Sequence, residues 1–446
     1  MPLMRMVGPL LLLLTLGILL GLAQAHPGLR FVDFISFAER ARRLLEGQDL
    51  LNGRYPVGYP ALLALLSPAM GSIAAGKALS ITGALLAVFA VHRWLGPFAA
   101  LWLLVQPAFL EWGSTEGTDM LALALALLAL SQLERGPAWS VGALAGAAAM
   151  MRYPAAAVLP VLLLGLALAP GPRARRLGAC LGAFLLLSAP HWVGALLGLG
   201  PLLPEAGENT AIGMGDGPLA PPLERWAQGL RIAVMGVLWP GTPPEPPQLS
   251  WPLLLGLAGL GLGLLRRDRR ALSLLLLAAL HLAVLGFFFS NERLALPLSA
   301  PLLLGVAFLP RALPLLAAVG LSVLSLPRAY APDPQALARE EIVAAASQLG
   351  EPVASSSPWF YLRRQDGFIE SGTLLREAVP AGATPGQLSP SLLRAWSQER
   401  GVRYVALDLG RVHRTFPGLR PLLRGSTEGY REVAASPGWR LLEILP

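Results

Sequence analysis

The chain is poor in charge and almost devoid of sulfur chemistry. Of its 446 residues one is cysteine, Cys180, inside an apolar run. No disulfide and no cysteine-based metal site can therefore form within one chain. Lysine is equally scarce: Lys77 is the only one, and nearly all the positive charge is arginine. Charged residues make up 14%, against about 25% in soluble domains, which excludes an ordinary soluble protein. What fills the chain is apolar, with 54% hydrophobic residues and a mean hydropathy of +0.57. The net charge of +8 points to the positive-inside bias of membrane proteins rather than to nucleic-acid binding.

Apolar stretches fall at 6–24, 73–95, 98–112, 119–133, 138–151, 154–169, 177–199, 250–265, 271–289, 294–309 and 312–326. Many approach the ~20 residues a helix needs to cross a bilayer. The expectation is a polytopic α-helical membrane protein with about 11 transmembrane helices. With the N-terminus inside, Arg93, Arg135, Arg173, Arg175, Arg176, Arg266, Arg267, Arg269, Arg270 and Arg311 share the cytoplasmic side. An odd number of spans then leaves the C-terminus outside. Residues 1–25 combine Arg5, an apolar core and an Ala23-Gln24-Ala25 ending. That pattern fits a cleaved signal peptide and a retained first span alike.

Longer loops lie on the outer side, at 26–72 and 200–250. In the first, Phe31, Phe34, Ile35, Ala38, Ala41, Leu44 and Leu45 recur at helical spacing. Glu39 with Arg43, and Arg42 with Glu46, form opposite-charge pairs four apart. An interfacial helix over 31–45 follows, its apolar face toward lipid or protein. The composition changes near Arg328. Residues 1–326 form the expected membrane domain and 327–446 a small extracytoplasmic α/β domain. Helices are expected at 339–349 and 390–400, the latter with Ser389 as cap, Pro390 first in the helix and Gly401 as stop. PVASS, VRYVALDL and WRLLEIL are expected strands.

Polar residues gather where spans meet the outer face. They are Asp33, Arg54 and Tyr55, then Glu111, Glu116 and Asp119 in EWGSTEGTDM, Arg152 and Tyr153 in MMRYP, Asn209, and Asn291, Glu292 and Arg293. Ionisable groups near a membrane are costly and tend to mark function. Each also has a structural reading. Asp33 caps or begins the loop helix, and Glu116 and Asp119 sit at a helix N-terminus. Arg152 snorkels, Glu292 pairs with Arg293, and Tyr55 and Tyr153 are interfacial aromatics. His191 reads as a satisfied core histidine and Lys77 as an anchor of its span. Taken together, acids and arginines at one face suit transfer from a lipid-linked phosphate donor. A carboxylate deprotonates an acceptor hydroxyl, and arginines hold the departing phosphate.

In order along the chain, FVDFISFAERARRLLEGQDLLNGRYPVGYPALLAL, EWGSTEGTDMLALALALLAL, GAAAMMRYPAAAVLPVLLL and NERLALPLSAPLLL resemble the GT-C superfamily of integral-membrane glycosyltransferases. The similarity is to its protein O-mannosyltransferase and aminoarabinose transferase branch. The resemblance implies a retained first span and a catalytic base at Asp33, with Phe34 where relatives often carry a second acid. It implies a further acid at Asp119 and donor-phosphate contacts from Arg54, Arg152 or Arg293. Tyr55, Glu116, Tyr153 and Glu292 are grouped with these as substrate-binding candidates. The implied donor is a polyprenyl-phosphate sugar, the reaction inverts the anomeric centre, and the acceptor is a protein, lipid or glycan. A divalent metal ion is left open. The alternatives are a transporter or flippase of a lipid-linked precursor, which would show repeat symmetry and broken helices, and a noncatalytic membrane anchor.

Overall fold

The computed structural model describes residues 2–31, 33–48, 50–51, 56–199, 224, 227, 251–285, 299–425 and 427–446. Arg54, Tyr55, Asn209, Asn291, Glu292 and Arg293 lie outside the described residues. The chain divides into two compact units. The first comprises residues 1–25, 47–62 and 76–331; the second comprises 26–46, 63–75 and 332–446.

The first unit is helical, and its helices fall on the apolar runs. Their order is α1 (Pro2–Ala25), α2 (Phe34–Leu45, in the second unit), α3 (Gly58–Met70), α4 (Ser72–Leu95), α5 (Pro97–Leu104), α6 (Pro107–Ser114), α7 (Asp119–Gln132) and α8 (Ala138–Met151). There follow a 3-10 turn Tyr153–Ala157, α9 (Val158–Leu168), α10 (Arg173–Leu187), α11 (Ala189–Leu196), α12 (Trp251–Leu265), α13 (Arg269–Leu285) and α14 (Ala312–Ala329). Among the described residues, Val7–Ala25 and Ser72–Leu95 are each long and apolar enough to cross a membrane. Two bent pairs raise the number to four: α6 with α7, bent by 114°, and α10 with α11, bent by 67°. Other expected spans are shorter apolar helices, so helix length alone does not return about eleven. The runs are interrupted by residues that break helices, such as Pro107 after Gln106 and Pro154 after Tyr153.

Small residues set the packing inside this unit. α8 lies along α10, with Gly142 against the Cys180 carbonyl and Gly146 against the backbone of Phe184. A β-carbon at either position would collide with a backbone atom, so this small-residue stripe lets the two helices approach closely. Gly83 on α4 similarly faces the Leu121 backbone, where a β-carbon would sit 2.7 Å from its nitrogen. That contact places the start of α7 against the middle of α4.

The second unit joins the first loop to the C-terminal domain. Its α15 (Pro334–Ser347) starts earlier than the expected 339–349, because Asp333 accepts from the Gln335 and Ala336 amides and Pro334 follows as first helical residue. α16 (Pro390–Arg400) matches expectation, with Ser389 accepting from Leu392 N and Gly401 left-handed at φ 66°. α17 is Leu409–Arg414. A five-stranded sheet runs β4-β1-β5-β7-β6, formed by Thr373–Leu374, Val353–Ser355, Tyr404–Asp408, Trp439–Ile444 and Tyr430–Ser436. β1 pairs parallel with β4 and β5, while β7 pairs antiparallel with β5 and β6. A separate hairpin pairs β2 (Tyr361–Arg363) with β3 (Ile369–Ser371).

The loop helix α2 packs on β3, burying Phe34, Ile35, Phe37, Ala38 and Ala41. Its apolar face thus turns to protein. The chain ahead of α2 is held by α15 and β2. Leu29 N donates to Glu340 Oε1 at 3.3 Å and to the Tyr361 hydroxyl at 3.4 Å. Arg339 donates to the Leu29 carbonyl, while Tyr361 and Arg363 both donate to Glu340. Burial and then the Glu340 charge push the Tyr361 hydroxyl far above the ordinary tyrosine value, so it stays a donor. Farther on, the Gly367 carbonyl accepts from both N and Oγ of Ser72, each at 2.6 Å. Gly367 has φ +79° and a β-carbon there would lie 2.9 Å from the Ser67 carbonyl. Both conditions require glycine.

Candidate functional site

The acidic segment between α6 and α7 is not a solvated loop. Thr115, Glu116, Thr118 and Asp119 are all buried. The break arises locally: Ser114 Oγ turns back to the Leu110 carbonyl at 2.9 Å, and Thr115 is extended. Ser80 Oγ on α4 donates to the Gly117 carbonyl at 3.3 Å. Lys77, three residues earlier on α4 and also buried, therefore shares the helix face that meets this segment. Burying acids inside apolar helices is expensive unless they are paired.

Arg152 supplies the pairing. Its Nη1 is ion-paired with Asp119 Oδ1, and the two side chains are 14% and 2% exposed. The same nitrogen lies 3.4 Å from Thr118 Oγ1. α8 ends just ahead of Arg152, which is extended at φ −157° and ψ 121°. Pro154 ends the helix because it has no N–H to offer the Met150 carbonyl. Gly58, at the start of α3, closes on that same carbonyl. The extended backbone swings the guanidinium from α8 toward the first turn of α7. There Asp119 also benefits from the positive end of the helix.

Tyr153 extends the cluster. Its hydroxyl is 3.0 Å from His191 Nδ1, and the two rings lie 4.6 Å apart. Trp192 stacks edge-on against His191 at 4.7 Å and donates to Ser188 Oγ at 2.7 Å. α13, which carries the buried His281, packs on the 153–157 turn. His191, expected as a core histidine, is buried but hydrogen-bonded to a candidate site residue. His281 escaped the sequence reading, because a lone histidine in LLLLAALHLAVL carries no pattern that marks its partner.

The structure thus brings together Glu116, Asp119, Arg152 and Tyr153, with Thr118 and His191 beside them. Asp33 belongs to the second unit. It occupies the N-cap position of α2, yet its side chain makes no cap hydrogen bond. Among the described residues no group of three or more His, Cys, Asp or Glu is placed to hold a metal ion, and no chemistry is assigned to one.

No protein-family model matches the sequence, and no curated protein matches it. Solved structures do. Apo ArnT from Cupriavidus metallidurans matches with a TM-score of 0.53 over 91% of this chain and 92% of that one, at 12% identity. The same protein bound to undecaprenyl phosphate matches with a TM-score of 0.57 over 97% of both chains, at 13% identity. The chain shares the fold of ArnT. The likeness to ArnT covers nearly the full length of both chains.

Proposed function

We propose that this protein is a membrane glycosyltransferase that moves a sugar from a polyprenyl-phosphate donor to an acceptor hydroxyl, with inversion. The observation that carries the reading is the fold shared over nearly the full length of both chains with an ArnT structure holding undecaprenyl phosphate. The buried Arg152–Asp119 pair adds support, because it keeps a guanidinium inside an apolar body.

Asp33 takes the proton of the acceptor hydroxyl as the acceptor oxygen bonds to the anomeric carbon. The bond from that carbon to the phosphate oxygen breaks, and the phosphate leaves with the electron pair. Arg152, with Arg54 and Arg293, neutralises the departing phosphate. Asp119 acts here by orienting Arg152, since its near oxygen is occupied by the guanidinium. Tyr153, steadied by His191, and Glu116 line the approach, with Tyr55 and Glu292 as further substrate contacts. The site faces outside the cell membrane, with the N-terminus cytoplasmic and the α/β domain extracytoplasmic.

Purified protein is expected to transfer sugar from such a donor, and Asp33→Asn to abolish transfer while the melting temperature stays within a few degrees. Full activity in the variant would remove Asp33 from the mechanism. One observation favours a second reading, a flippase of a lipid-linked precursor: the helix pairs α6–α7 and α10–α11 are bent by 114° and 67°, and transporters build their sites from discontinuous helices. Movement of donor across vesicles without covalent transfer would decide for it.

A further inference from the structure

The two arginine-rich turns, GPRARR and RRDRR, lie far apart in the sequence, and positive-inside bias accounts for each alone. Positive-inside bias does not account for their convergence. A cleft of about 310 Å³ opens between α7, α9, α13 and the end of α4, with Arg176 from the first turn and Arg269 and Arg270 from the second in its lining. Leu130, Leu133, Val161 and Leu276 form its apolar wall. Leu164, Leu168 and Leu272 line its open side and are 42%, 54% and 38% exposed. In a membrane that side faces acyl chains.

Two of the three arginines are arranged in advance. Arg270 grips Asp268 through Nε at 3.0 Å and Nη2 at 2.7 Å, and its Nη1 donates to the Trp94 carbonyl at 3.2 Å. Arg176 Nη1 donates to the Pro170 carbonyl at 2.8 Å. The exposed Arg269 side chain makes no hydrogen bond or ion pair among the described residues. Three guanidiniums face two carboxylates, Glu134 in the lining and Asp268 beside it. The lining keeps a positive surplus, flanked by Arg173, Arg175, Arg266 and Arg267 of the same turns, which the phosphate of an anionic headgroup offsets. Guanidinium forks match phosphate oxygens in shape as well as charge. Basic pockets between membrane helices are suited to anionic headgroups.

We propose that this cleft binds a phospholipid with a monoanionic, amine-free headgroup of the phosphatidylglycerol type. Arg176 and Arg269 engage its phosphate against a rigid Arg270, and one acyl chain runs along Leu164, Leu168 and Leu272. A zwitterionic headgroup brings no net charge and leaves the surplus uncompensated. Free phosphate leaves the apolar flank uncovered. The site is separate from the Asp119–Arg152 cluster and holds whether the chain transfers sugar or moves lipid.

The test is mass spectrometry of the intact full-length protein in detergent, titrated with phosphatidylglycerol, phosphatidylethanolamine or inorganic phosphate. Wild-type protein is expected to retain phosphatidylglycerol under activation that strips phosphatidylethanolamine. Arg176→Ala/Arg269→Ala is expected to weaken that binding roughly thirtyfold, since each arginine near a lipid phosphate contributes comparably. Arg173→Ala/Arg175→Ala, on the same turn but outside the cleft lining, is expected to leave it unchanged. Equal retention of the two lipids by wild type overturns the proposal without any variant. Arginine-dependent binding of inorganic phosphate with no lipid preference also overturns it, as does an equal loss in both double variants.

Discussion

Arg152 and Asp119 form an ion pair that is tied to the fold by its burial. Both side chains are largely inside protein, where removing one partner strands the other. Arg152→Ala is expected to cost about 3–5 kcal/mol, because it leaves a buried carboxylate uncompensated. Arg152→Leu/Asp119→Leu is expected to recover most of that stability, since apolar replacements of a buried pair are often neutral. The double variant is nevertheless expected to transfer no sugar. Thermal melts and transfer assays on the same preparations check both halves. A double variant as unstable as Arg152→Ala, or one that keeps activity, contradicts the assignment. From sequence, Arg152 and Asp119 were two candidates among nine. Their pairing depends on the stop at Pro154 and the bend between α6 and α7, neither of which periodicity encodes.

Elements in this chain are legible where apolar period and capping residues agree. Ser389, Pro390 and Gly401 bracket α16 as expected because their chemistry acts within one turn. The expected strands at β1, β5 and β7 are short apolar runs, and the sheet confirms them. β2, β3 and β4 are short and only partly buried, unlike the fully buried β1, and β6 is an edge strand mostly exposed along its length, so no apolar run announced them. α3 falls inside the outer loop expected at 26–72, where PVGYP has the composition of a turn. Gly58 instead starts the helix, and Pro60 fits its first turn, where no N–H partner is required.

The edge pair β6–β7 carries a pH dependence. Glu443 is held below the ordinary carboxylate value first by its hydrogen bond from Arg403 and then by Arg431. A carboxylate with a lowered folded-state value stabilises fully above its ordinary value of 4.5 and loses that contribution as pH falls through the folded-state value. Protection factors of the β6 and β7 amides in the full chain, with the intrinsic pH dependence of exchange divided out, are expected to be lower at acid pH below that value than near neutrality. Glu443→Gln should flatten this difference, and an unchanged profile would exclude the pair as its source.

At the scale of the whole molecule, the C-terminal region is joined to the first loop within one compact unit. Removing residues 332–446 takes away Arg339, Glu340, Tyr361 and Gly367, the groups that hold Leu29 and Ser72. The loop is then expected to open to trypsin at Arg40, which is 6% exposed in the full chain. Identical cleavage in full-length and truncated protein would show that the loop stands alone.

The sequence by itself determined the apolar helical body, the arginine asymmetry, the C-terminal α/β composition and the order of motifs. These are one-dimensional quantities, set by burial in lipid and by capping within a turn. Only the tertiary structure decided that Asp119 meets Arg152, that Tyr153 meets His191, that α2 turns its apolar face to β3, and that two distant arginine turns line one cleft. Each of these contacts depends on where a helix stops and how closely glycines let its neighbour approach, and those depend on three-dimensional packing.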